Sequence, residues 1–231
     1  HRDLHSFPTR RSSDLLKSLE TILPTSALPR VAAFLLGTDS AADRRNAQRV
    51  VVAACRRDAA GIQTVLQALA ATPGAPRVPL LQTLSGIGGG EALAVVVADV
   101  RGDDATVREA AMRVLADWPD AAAAEPLLQV VAEAANDTVR TLALRGYVRV
   151  VTLPADRPPA ATAAMLERAW TAAAGDADRR LVLGGLGSVR HDSALRLPVA
   201  AMAEAALRDE AAAAIVGICC PPDDKSEGLR T

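Results

Sequence analysis

TVREAAMRVLADW (residues 106–118) and TVRTLALRGYVRVV (138–151) are two versions of one pattern. In the first, Val107, Ala110, Ala111, Val114, Leu115 and Trp118 fall at i, i+3, i+4, i+7, i+8 and i+11, a single apolar stripe along a helix. Between the two, Ala124, Leu127, Leu128, Val131, Ala134 and Ala135 predict a neighbouring helix with its own stripe. The pattern then recurs in both directions. Arg45, Arg77, Arg108 and Arg140 open comparable helical segments at intervals of 31 or 32 residues. Arg179 follows 39 residues after Arg140, and Glu210 takes the same place 31 further along. The long interval has a visible cause, the Pro-rich insertion LPADRPPA at 153–160, within which residues 154–158 are expected to be irregular.

Composition agrees with an all-helical chain. Half of the 231 residues are apolar but only 2% are aromatic, and alanine is about a fifth of the total, a strong helix bias. No stretch alternates with period two for long enough to make a strand; the VVV runs at 50–52 and 95–97 sit within helical stripes. Gly37-Thr38-Asp39, Thr72-Pro73-Gly74, Gly88-Gly89-Gly90, Trp118-Pro119-Asp120 and Gly175-Asp176 fall where turns are needed. Asp104, Asp137 and Asp178 stand where a side chain would cap a helix start.

These features resemble HEAT repeats of the short bacterial kind, whose second helix reads D-x-x-V-R-x-x-A. The resemblance covers residues 26–219, as six hairpins at 26–57, 58–88, 90–118, 121–153, 158–190 and 192–219. It implies an α-α superhelix in which each hairpin sets its first helix on a convex side and its second on a concave side. Residues 16–25 then read as the remnant of a preceding helix and 220–231 as a tail. It further implies that Arg45, Arg77, Arg108, Arg140 and Arg179 form a ladder linking neighbouring turns to upstream acids such as Asp104 and Asp137. The second copy lacks that acid, and the sixth has Glu210 for Arg. Such hairpins bury their faces by stacking on one another. The last helix, EAAAAIVGICC (210–220), is apolar almost throughout, so Ile215, Val216 and the Cys219-Cys220 end are expected to be incompletely covered.

The first fifteen residues, HRDLHSFPTRRSSDL, stand apart. They resemble the in-frame translation of a short-read sequencing adapter and are expected to make few contacts with the rest. His1-Arg2-Asp3-Leu4 also resembles the start of a kinase catalytic loop, but Pro8 stands where Asn is required and no glycine-rich loop follows. On this reading the chain is a fragment of a larger protein and its compartment is left open. Lysine occurs only at 17 and 225 beside abundant arginine, which suggests a G+C-rich bacterial source.

The chemistry-bearing residues are few. His191, in GSVRHDSA, reads as a solvated turn residue, since a lone histidine without converging acids makes no catalytic site. Cys55 reads as a core residue, and Cys219-Cys220 lacks the spacing and further ligands of a metal site. The glycines of SGIGGGEA (85–92) follow a helix and read as a helix end and loop, without a phosphate-binding fingerprint. Gly184, Gly185 and Gly187 are expected to mark close helix packing. No cofactor or metal is expected.

Charge placement carries the functional expectation. The net charge of −1 argues against a general nucleic-acid binder, and no apolar run is long enough to span a membrane. Arginines lead on the second helices, while Glu91, Asp99, Glu125, Glu133, Glu167 and Glu204 lie on the first. Arg49, Arg113, Arg145 and Arg149 therefore mark a possible concave binding face for a protein partner of acidic character. The leading expectation is a non-catalytic protein-protein interaction or scaffold module. The alternative is a HEAT-like enzyme, resembling phycobilin lyases or alkylpurine DNA glycosylases.

Overall fold

The computed structural model describes residues 18–220; residues 1–15, expected to make few contacts, and the tail from 221 lie outside them. The described residues are helices and turns, with no strand among them. Residues 18–22 are helical, and thirteen α-helices follow in two compact units that divide between Pro119 and Asp120.

The first unit contains α1 (Leu28–Gly37), α2 (Ala41–Arg57), α3 (Gly61–Ala71), α4 (Val78–Leu81), α5 (Leu84–Ile87), α6 (Gly90–Val100) and α7 (Ala105–Ala116). α1 pairs with α2 and also carries α3; α5 packs on α2, and α4 and α5 pack on α7, which pairs with α6. The second unit contains α8 (Ala124–Glu133), α9 (Asp137–Thr152), α10 (Pro159–Ala172), α11 (Asp176–Leu186), α12 (Arg196–Ala201) and α13 (Arg208–Cys219). Here α8 pairs with α9, α10 with α11 and α12 with α13. Its second helices, α9, α11 and α13, pack on one another in chain order.

Local chemistry sets the helix ends. Ser40 accepts the amide hydrogen bond of Asp43 at 3.2 Å, and Asp104 accepts those of Thr106 and Val107 at 2.9 and 3.1 Å. Each satisfies donors that a helix start leaves without intrahelical partners. At α9 the cap is Asn136, whose Oδ1 accepts from the amide of Val139 at 2.9 Å; Asp137, expected to cap, is the first helical residue instead. Asp178 lies inside α11 and is buried. Residues 153–158 are irregular, and Arg157 ties them down through Thr162 Oγ1 at 2.9 Å and the carbonyl of Val151.

The Val107–Trp118 stripe belongs to the core of its unit: Val107, Ala110, Ala111, Val114, Leu115 and Trp118 are all buried. Met112 and Ala116 are buried too, so α7 is covered on more than one side. On α8 the stripe stops sooner: Ala124, Leu127 and Val131 are buried, but the helix ends at Glu133 and Ala135 is exposed. The second helix of the second hairpin is broken into α4 and α5. The buried Thr83 hydroxyl donates to the carbonyl of Leu80 at 2.7 Å, and the Thr83 amide bonds the same carbonyl at 2.9 Å. That tight turn displaces the regular ladder.

Glycines allow the closest approaches. A Cβ on Gly185 would meet Val148 Cγ1 at 2.7 Å, and one on Gly217 would meet the carbonyl oxygen of Gly187 at 2.6 Å. Gly184 faces open space, so only two of the three glycines expected to mark close packing do so. In α13, Val216 and Cys219 are exposed, as is Cys220 just after it, while Ile215 is half-buried.

Candidate functional site

The arginines expected to form a ladder sort by helix register. Ser40, Asp104, Asn136 and Gly175 precede helices, and their carbonyls accept the amides of Arg44, Arg108, Arg140 and Arg179 at 2.9 to 3.1 Å. The residue equivalent to Arg108 in the first hairpin is thus Arg44, and Arg45 lies one position beyond it, exposed. Arg44 Nη2 reaches back six residues to the carbonyl of Thr38 at 2.9 Å. Arg108 Nη1 does the same to Gly102 at 2.8 Å. Both bind their own hairpin turn, and Asp104 is engaged in capping.

Links between successive hairpins take other forms. Arg140 Nε meets Asp178 Oδ2 at 3.3 Å, 38 residues downstream, while its Nη2 meets the exposed Asp137 at 3.0 Å. Asp178, 3% exposed, also accepts from the amide of Ala174 at 3.1 Å. Arg77, in the turn before α4, pairs with Asp99 of α6 at 3.1 Å, so its acid lies downstream where none stands upstream. Burial pushes the Asp99 carboxyl up, and Arg77 opposes that rise. Arg179 Nη1 reaches Glu204 at 3.2 Å with its guanidinium over the Trp170 ring. Arg180 donates to the carbonyl of Ala206 at 2.7 Å and approaches Glu210 at 3.6 Å, which gives the residue in the arginine's place a cationic neighbour.

The acids of the first helices are also engaged. Glu125 pairs with Arg168 at 2.9 Å and Glu167 with Arg196 at 2.8 Å, while Gln63 donates to Glu91. These contacts join first helices of consecutive hairpins within each unit. Glu204 lies in the turn after α12.

One open groove, of about 650 Å³, gathers arginines. Arg45, Arg49 and Arg56 of α2 line it, at i, i+4 and i+11 on one helical stripe, together with Val52 and Gly86 among others. α5 approaches closely enough that a Cβ on Gly86 would sit 2.9 Å from Val52. Arg56 Nε donates to the Gly86 carbonyl at 2.7 Å, and Gln48 Nε2 bonds the Pro79 carbonyl at 2.9 Å and Gln82 at 3.0 Å. The groove walls are therefore fixed to each other. Glu20 is the acid in the lining, and Arg49 Nε stands 3.9 Å from it. Arg49 Nη2 is steadied by Asn46 Oδ1 at 2.7 Å.

Of the four arginines expected on a binding face, Arg49 alone lines this groove. Arg113 forms an exposed pair with Glu109 on its own helix at 2.6 Å. Arg145 is exposed and Arg149 half-buried, both on α9 in the second unit. Arg56 is absent from the face expected from sequence, and Arg45 enters that expectation only through the ladder. The i, i+4, i+11 spacing of Arg45, Arg49 and Arg56 was the available signal.

The remaining polar candidates are structural in their contacts. His191 precedes the short turn Asp192–Leu195, where its Nδ1 accepts from the Ser193 amide at 3.2 Å. Cys55 is buried, and desolvation first, then Asp58, pushes its thiol up to about 11. Gly88 and Gly89 hold φ of 78° and 93°, conformations that favour glycine, at the end of α5. The hollow beside them, about 300 Å³, is lined by Cys55, Ile62 and Glu91 among others and contains no cationic side chain. Among the described residues no three His, Cys, Asp or Glu are placed to hold a metal ion, and no helix is long and apolar enough to cross a membrane.

No family model, curated protein or solved structure matches the chain.

Proposed function

We propose that the chain is a HEAT-like solenoid module that binds a protein segment through its second helices, as a non-catalytic scaffold. The observation that carries this reading is the arginine-lined groove on α2, with three guanidinium groups against one carboxylate on walls braced by Gln48 and Arg56. A braced groove loses little entropy on binding, which favours recognition of a flexible segment. The HEAT-like part of the reading is supported by the helix pairs, by second helices that pack in chain order within each unit, and by an arginine at the same helical register in four hairpins. Arginine suits such a surface because its planar fork holds carboxylates bidentately.

The test is selection from a random peptide library against the native chain and against an Arg45→Glu/Arg49→Glu variant. Both residues are exposed, so the variant should keep the native helical circular dichroism. Peptides that enrich on the native chain and not on the variant support the reading. Enrichment that is identical on both contradicts it.

A further inference from the structure

The groove's charge arrangement points to a more specific occupant. Resting on the protein-binding reading above, we infer that the groove takes an extended acidic segment with carboxylates at alternate positions. Arg45 and Arg49 are one helical turn apart, about 6 Å along the axis at about 1.5 Å per residue. An extended chain repeats its side chains on one face every two residues, about 6.6 Å. Two carboxylates at i and i+2 of such a segment therefore face Arg45 and Arg49 together. Arg56 lies about 10 Å beyond Arg49 by the same rise, within reach of a third or fourth acid in the alternation.

The surroundings favour this occupant. Arg45 and Arg49 are exposed; Asn46 orients Arg49, and Glu20 approaches its Nε only to 3.9 Å, which leaves both guanidinium groups open to a ligand carboxylate. Arg113, by contrast, is engaged by Glu109. Val52, Ala53 and Gly86 add apolar surface to the lining beside the arginines, and Gln82 and Ser85 add groups that can bond a peptide backbone. The lining contains no aromatic ring, so bases would find no stacking platform, and the net charge of −1 adds no long-range attraction for nucleic acid.

Fluorescence anisotropy with labelled peptides tests the inference on the full chain. One peptide alternates Asp with Ser, a second has the same composition with its Asp in one block, and a third probe is a single-stranded oligouridylate of equal charge. The alternating peptide is expected to bind at least threefold more tightly than the block peptide. It should weaken about tenfold in Arg45→Glu/Arg49→Glu but little in Arg113→Glu, which lies outside the groove. Equal binding of both peptides, lost in the double variant, overturns the spacing and leaves the groove reading standing. No binding of either peptide also overturns this inference, and the groove reading is then decided by its own library selection. Tighter binding of the oligouridylate overturns both.

Discussion

At the scale of single residues, the fold depends on a few arginines whose partners differ in burial. Asp178 is buried and keeps its charge satisfied through Arg140 and the Ala174 amide. Truncating Arg140 to Ala leaves a desolvated carboxylate short of a partner, at an expected cost of about 2–3 kcal/mol. Arg113→Ala breaks a pair whose side chains are both 65% exposed, so urea unfolding should show a loss of no more than about 0.5 kcal/mol. Equal losses in the two variants would contradict this ranking. The interval between arginines selected Arg45, but the hydrogen-bond register falls on Arg44. Two signals pointed there: Ser40 as a cap, and the repeated Ala-Asp-Arg-Arg at 42–45 and 177–180. The Arg140–Asp178 pair was illegible, because its partners lie 38 residues apart on different helices.

The three thiols give a second residue-scale prediction. Cys219 and Cys220 are exposed, whereas Cys55 is buried with its thiol raised to about 11. Raising a thiol's pKa disfavours the thiolate, which is the reactive form, until the pH approaches that value. At pH 8, a chromogenic disulfide reagent should titrate two thiols quickly and the third only after denaturant is added. Three fast thiols in the native chain would show that Cys55 is accessible.

At the scale of helices, the contrast between neighbouring glycines of α11 is the sharpest test of packing. Gly185 sits against Val148 and Leu166, and an added methyl would come within 2.7 Å of Val148. Gly185→Ala should cost about 1–3 kcal/mol through overpacking. Gly184 meets nothing within 4 Å, so Gly184→Ala should stabilise by about 0.5–1 kcal/mol through helix propensity. Thermal melts should move in opposite directions, and the same sign in both would mean that α11 does not pack on α9 and α10 as described. Much at this scale was legible: the stripe on α7 became core residue by residue, because 3.6-residue periodicity and burial share one cause. The break between α4 and α5 was not legible. It depends on Thr83 bonding the Leu80 carbonyl, a choice that apolar periodicity does not encode.

At the scale of the molecule, each unit brings three helix pairs together, and in the second unit charged side chains on both helix rows join consecutive pairs. Most of these arginines are spent on carbonyls and carboxylates within the fold. Arg45 and Arg49 stand exposed around the open space of the α2 groove, while Arg56 there also donates to the Gly86 carbonyl. The central claim is that this groove is where the module meets its partner. Hydrogen–deuterium exchange on the chain with and without a selected or alternating acidic peptide tests it most directly. The account predicts added protection confined to segments around 45–56 and 82–86. Protection that appeared instead along the first helices, at α1, α3 or α6, would contradict it.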